Sequence, residues 1–104
     1  MIVSGWKTGA PNIKTGVGFG LKIKQKDRDK YFQIKWPAVK IELEKGNWVE
    51  VNLSDSFWRD CIELRNSKIG RWMLENGLAP WPKGNPPKLE LKSIGDRKFK
   101  LKSP

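Results

Sequence analysis

The chain has 104 residues, 38% of them hydrophobic, a formal net charge of +10, one cysteine and no histidine. That is the size and composition of a single domain, 1–104, able to bury a core without cross-links. An internal disulfide, Cys–His and Ser–His catalytic pairs and a zinc site are excluded. The lone thiol, the absence of a basic-then-apolar leader and the lack of any long apolar run fit a cytoplasmic protein without a membrane span.

The charge is uneven. Residues 1–40 carry +7, residues 41–75 carry −2 and residues 76–104 carry +5. Two basic ends flank an acidic middle, which points to a basic face assembled from both ends of the chain. A lysine-rich surface that serves solubility alone is the plainer alternative.

Residues 4–20, rich in Gly, Thr, Asn and Pro, have a loop composition. Gly16-Val17-Gly18-Phe19-Gly20 resembles a phosphate-cradling loop only superficially, because an alternating pattern follows it and no helix opens there. Glycines in that position mark a bulge or a close backbone approach. Phe19, Leu21 and Ile23 alternate with Lys22, Lys24 and Lys26, predicting a half-buried strand. Lys26-Asp27-Arg28-Asp29-Lys30 reads as a charged turn. Phe32, Ile34 and Trp36 then predict a second strand, completing a hairpin. Val39, Ile41 and Leu43 predict a third strand, Gly46-Asn47 a turn, and Val49, Val51 and Leu53 a fourth.

Beyond Leu53 the apolar period changes to a helical one. Ser54 and Asp55 can open a helix over about 54–65, and Ser67 a second over about 67–76, with Ile69, Trp72 and Met73 on one face. Gly77 suits the C-terminal cap, with Leu78 making the accompanying apolar contact. Four prolines between Ala79 and Pro87 exclude helix and central strand there. Leu89 and Leu91, then Phe99 and Leu101, predict a C-terminal hairpin around Gly95-Asp96. The expected fold is α+β, mainly β: a six-strand antiparallel, partly open β-barrel, with the two short helices inserted before the last hairpin.

The first candidate site is a lysine face. Lys22, Lys24 and Lys26 fall on one side of one predicted strand, Lys98, Lys100 and Lys102 on one side of another, and Lys88 and Lys92 on its hairpin partner. Such rows repel one another unless an anion lies across them, and adjacent hairpins would join them into a phosphate-binding surface. Lysines that guard a solvated strand from aggregation would look the same.

The second candidate is aromatic. Trp36, Trp58 and Trp72 occupy apolar faces and belong in the core. Trp6, Trp48, Trp81 and Tyr31 lie in loops or on polar faces, where they can stack nucleobases, line a sugar or peptide groove, or fold back as lids.

Other features are weaker. Cys61 reads as a buried small hydrophobe. Glu42, Glu44, Asp55, Asp60 and Glu63 match no metal loop. Glu90-Leu91-Lys92 echoes a nuclease element but lacks an upstream Asp partner. Arg59, Arg65 and Arg71, with Asn66, Ser67 and Lys68, can enter a groove or pair with nearby carboxylates.

The sequence therefore favours a non-enzymatic nucleic-acid-binding module, DNA or RNA, with no cofactor or metal. A protein- or peptide-binding β module, homodimeric through exposed tryptophans, is the alternative. A small-ligand or carbohydrate pocket ranks third, because the charge does nothing for a neutral sugar.

Overall fold

The computed structural model describes residues 1–102. It is mainly β: seven strands make one mixed sheet that curls into a nearly closed barrel, with two helices. The strands are β1 (Ile2–Lys7), β2 (Phe19–Lys22), β3 (Ala38–Glu44), β4 (Asn47–Asn52), β5 (Glu63–Arg65), β6 (Lys88–Gly95) and β7 (Lys98–Lys102), and the helices α1 (Gln25–Tyr31) and α2 (Ser67–Glu75). The order across the sheet is β4-β3-β7-β6-β1-β2-β5. Neighbours are antiparallel except β3 and β7, which run parallel.

Alternation behaves as strand geometry requires. Val3, Phe19, Leu21, Val39, Ile41, Leu43, Val49, Val51, Leu64, Leu89, Leu91, Phe99 and Leu101 are buried inside, and lysines and glutamates alternate with them outside. Phe32 stacks on Phe99 with ring centroids 4.8 Å apart and tilts against Phe57 at 5.2 Å, so the centre of the core is aromatic.

Several expectations are corrected. The strand count is seven, and the sheet is not purely antiparallel. The first predicted hairpin does not exist. Lys26–Lys30 lies inside α1, and Phe32–Trp36 is a turn in which the Trp36 amide donates to the Gln33 carbonyl. The alternation there was accidental, since Ile34 is 77% exposed. What holds this stretch helical is Arg28. It is 6% exposed, its Nη1 donates to the Phe57 carbonyl at 3.0 Å, and its Nε pairs with Asp29 at 2.9 Å. No turn residue in Lys26–Lys30 supplies the positive φ of a tight hairpin.

The predicted helix over 54–65 is a single 3-10 turn, Asp55–Trp58, followed by β5. Ser54 does not cap it with its side chain; its hydroxyl pairs with that of Ser56. Leu64 is taken up by the sheet because β2 has a free inner edge opposite it. Cys61 is half-buried rather than buried. The N-terminal segment expected to be a loop supplies β1, which joins the two ends of the chain.

The second helix is where the sequence put it. The N-cap is Asn66 and not Ser67, which is the first helical residue; Asn66 Oδ1 accepts from the Lys68 amide at 2.9 Å. Gly77 has φ of +70°, and the Leu78 and Gly77 amides donate to the Met73 and Leu74 carbonyls. This is the hydrogen-bond pattern of a Schellman C-cap. A Cβ on Gly70 would lie 2.0 Å from the Gly16 carbonyl oxygen, so the helix backbone sits directly on the loop backbone. Hydrogen bonds also tie α2 to the other side of the barrel: Asn66 Nδ2 donates to the Glu50 carbonyl and Trp72 Nε1 to the Glu44 carboxylate. The helix thus bridges the seam between β4 and β5.

Candidate nucleic-acid interface

Residues opposite each other in a sheet share a face, so the registers fix what the outer surface presents. Ser4 of β1 faces Lys22 of β2 on one side and Lys88 of β6 on the other. Lys102 faces Glu90, Lys92 faces Lys100, Lys100 faces Glu42 and Lys98 faces Lys40. Six of the eight predicted lysines, Lys22, Lys88, Lys92, Lys98, Lys100 and Lys102, therefore lie on one continuous outer face of β2, β1, β6 and β7. Lys24 stands at the N-terminus of α1, just past β2. Lys26 lies within α1 and is not on the sheet.

The lysine rows are not purely cationic. Glu90 stands beside Lys102, Glu42 beside Lys100, Glu50 beside Lys40 and Glu63 beside Lys22. These lateral neighbours relieve part of the repulsion within the sheet. Lys22 and Lys88 flank Ser4 on its two sides. There β1 and β2 are paired only from Ser4 to Lys7, because the chain leaves β2 after Lys22 to begin α1. The strands splay, and a groove of ≈ 490 Å³ opens between Ile2, Val3 and Ser4 on one side and Lys22, Ile23 and Lys24 on the other, with Lys88 at its rim. Three ammonium groups thus border one concavity. Two carboxylates stand in register beside it: Glu63, opposite Lys22, is engaged by Arg65 at 2.8 Å, and Glu90 lies opposite Ile2.

The aromatic candidates separate. Trp6 points outward from β1, two residues from Ser4, and the Arg65 guanidinium lies over its ring at 4.5 Å from the centroid. Gly20, between them in register, has no side chain to keep them apart. Trp48 is 40% exposed on β4 and lines a separate concavity with Lys40, Glu50 and Lys98. Trp81 is folded back as a lid: it meets Phe19 edge to face, its ring would touch a Cβ on Gly5, and Lys7 covers it. Tyr31 packs against the core with the Lys30 ammonium over its ring. Trp36 and Trp58 are half-buried against the core and Trp72 is buried, as expected.

Arg65 is the residue that spacing alone did not single out from Arg59 and Arg71. The signal was Glu63-Leu64-Arg65, an alternating triplet that places acid and guanidinium on one side of a strand, and it was hidden under a helical assignment. Glu90 and Lys92 share the outer face of β6 with no acidic neighbour placed to complete a nuclease set. Among the described residues no group of three His, Cys, Asp or Glu side chains is arranged to hold a metal ion. No helix among them is long and apolar enough to cross a membrane. No family model matches the chain, and neither does any curated protein or solved structure.

Proposed function

We propose that this protein is a nucleic-acid-binding module that grips the phosphate backbone through the outer face of β2, β1, β6 and β7. The supporting observation is the strand order, which sets β2 and β6 on either side of β1 and so brings Lys22 and Lys88 from opposite ends of the chain to the two sides of Ser4. The backbone positions of Lys22 and Lys88, on separate strands, are held about two inter-strand steps apart, roughly 9–10 Å. That costs no ordering of backbone when an anion arrives. The remaining lysines extend the track across β6 and β7, while the lateral glutamates keep the free protein stable at its high net charge.

Binding of a fluorescent oligonucleotide at a series of salt concentrations tests this. For four phosphate contacts to a single strand, affinity falls by about 50-fold between about 50 and 200 mM salt. Replacing Lys22 and Lys88 by Glu lowers affinity and flattens that slope. Absence of binding at low salt, or binding indifferent to salt, rejects the proposal.

Trp48 favours a second reading, a protein-binding β module. An exposed indole beside a concavity of ≈ 520 Å³ is an anchor for a partner or a second copy. Sedimentation equilibrium of the wild type and Trp48→Ala distinguishes it: a dimer that the substitution dissolves supports it. Trp81 does not contribute, because its ring is committed to Phe19.

A further inference from the structure

We infer that the nucleic acid this face takes is single-stranded, and that one unpaired base stacks on the Arg65–Trp6 pair while its phosphate enters the lysine groove. The inference rests on the phosphate-binding reading and adds a base-recognition element to it.

Arg65 is pre-organised. Its Nη2 is held by Glu63 Oε1 at 2.8 Å, and the Glu63 side chain is only 9% exposed, while Arg65 itself is 53% exposed. The Trp6 ring therefore lies against the guanidinium and a covered carboxylate holds Nη2, while more than half of the side chain stays exposed. A planar cation fixed in this way is a stacking surface for a nucleobase, and the indole beneath it strengthens the cation's hold through the ring quadrupole. The pair borders a concavity of ≈ 310 Å³, whose other walls include the exposed apolar Val17, Thr8 and Ser67. Val17 can cover the second side of a flat ring, and the hydroxyls can meet its polar edge.

The two parts of the site are in register. Trp6 and Ser4 share the outer face of β1, two residues or about 7 Å apart. Gly20 and Lys22 have the same relation on β2, beside them. A base on Arg65 thus has its backbone directed toward the Lys22, Lys24 and Lys88 groove. A duplex keeps its bases stacked inside and cannot offer one to a protein ring without opening. The chemistry of the platform selects a strand whose bases are already free.

The test compares three ligands with equal numbers of phosphates: a short oligothymidylate, an abasic oligonucleotide and a duplex. Each is titrated into wild type, Arg65→Lys and Lys88→Glu, with circular dichroism as the check on folding. Arg65→Lys keeps the charge and removes the plane. Wild type is expected to bind oligothymidylate at least about five-fold more tightly than the abasic strand or the duplex. Arg65→Lys erases that preference, and Lys88→Glu weakens every ligand by a common factor. Equal binding of base-bearing and abasic strands by the wild type, tighter binding of the duplex, or a preference that survives Arg65→Lys overturns the inference while leaving the phosphate track intact. No salt-dependent binding of any of the three overturns both.

Discussion

Gly70 shows how much a single residue decides. By helix propensity alone, alanine at a mid-helix position is better than glycine by about 1 kcal/mol. Here the added methyl would sit 2.0 Å from the Gly16 carbonyl oxygen and 3.0 Å from Gly16 Cα. Backbone cannot rotate away as a side chain can, so Gly70→Ala is expected to lower stability by about 1–3 kcal/mol in spite of its better propensity. Urea unfolding followed by tryptophan fluorescence measures it; a variant as stable as wild type would show that α2 does not rest on the loop. Arg28 makes the complementary case. Its guanidinium satisfies the Phe57 carbonyl inside the protein and lies 5.6 Å from the Trp58 ring. Arg28→Met keeps the apolar stem but leaves a carbonyl without a partner, at a cost of about 1.5–3 kcal/mol. An unchanged midpoint in the same denaturation assay would remove Arg28 from the list of structural residues.

Among the elements, the last hairpin has a role its position in the chain does not reveal. β6 and β7 lie in the middle of the sheet, between the β3–β4 hairpin and the β1, β2 and β5 group. Without β7, β3 loses its parallel partner and Phe32 loses Phe99, so the sheet is interrupted and its two halves meet only across the α2 seam. Truncation after Gly95 is accordingly expected to abolish the cooperative thermal transition, as seen by far-ultraviolet circular dichroism. A truncated chain that still melts cooperatively would mean that the halves fold independently. For α2, Asn66 acts twice: it caps the helix and donates to Glu50 across the seam. Asn66→Asp retains the acceptor that caps and loses the donor that bridges, whereas Asn66→Ala loses both. The Ala variant is expected to be the less stable of the two, by about 1 kcal/mol, in thermal denaturation.

For the whole molecule, the net charge of +10 is organised rather than spread evenly. Glutamates stand laterally beside several lysines, so the barrel tolerates its charge, and three lysines border the groove where β1 and β2 splay apart. Salt is the decisive variable: the proposed binding weakens with ionic strength, while the fold, held by a buried aromatic and aliphatic core, changes little over the same range.

The sequence by itself determined which residues of β2, β3, β4, β6, β7 and α2 face inward, because alternation with period two and the α2 pattern are local properties of the chain; the same alternation misled at Ile34. It also placed both caps of α2 to within one residue, the turn at Gly46, and Trp36, Trp58 and Trp72 against the core; the last turn falls at Asp96-Arg97, one residue beyond the expected Gly95-Asp96. It did not determine who stands next to whom. A strand with the Phe99-Lys100-Leu101 pattern satisfies a parallel neighbour as well as an antiparallel one, and only closure of the barrel chose β3. Nor does the charged stretch Gln25–Tyr31 declare whether it is turn or helix; in α1, Arg28 reaches a carbonyl 29 residues away. The Arg65–Trp6 pair was invisible for the same reason: it spans two strands, and Gly20 between them acquires meaning only when three distant segments lie side by side.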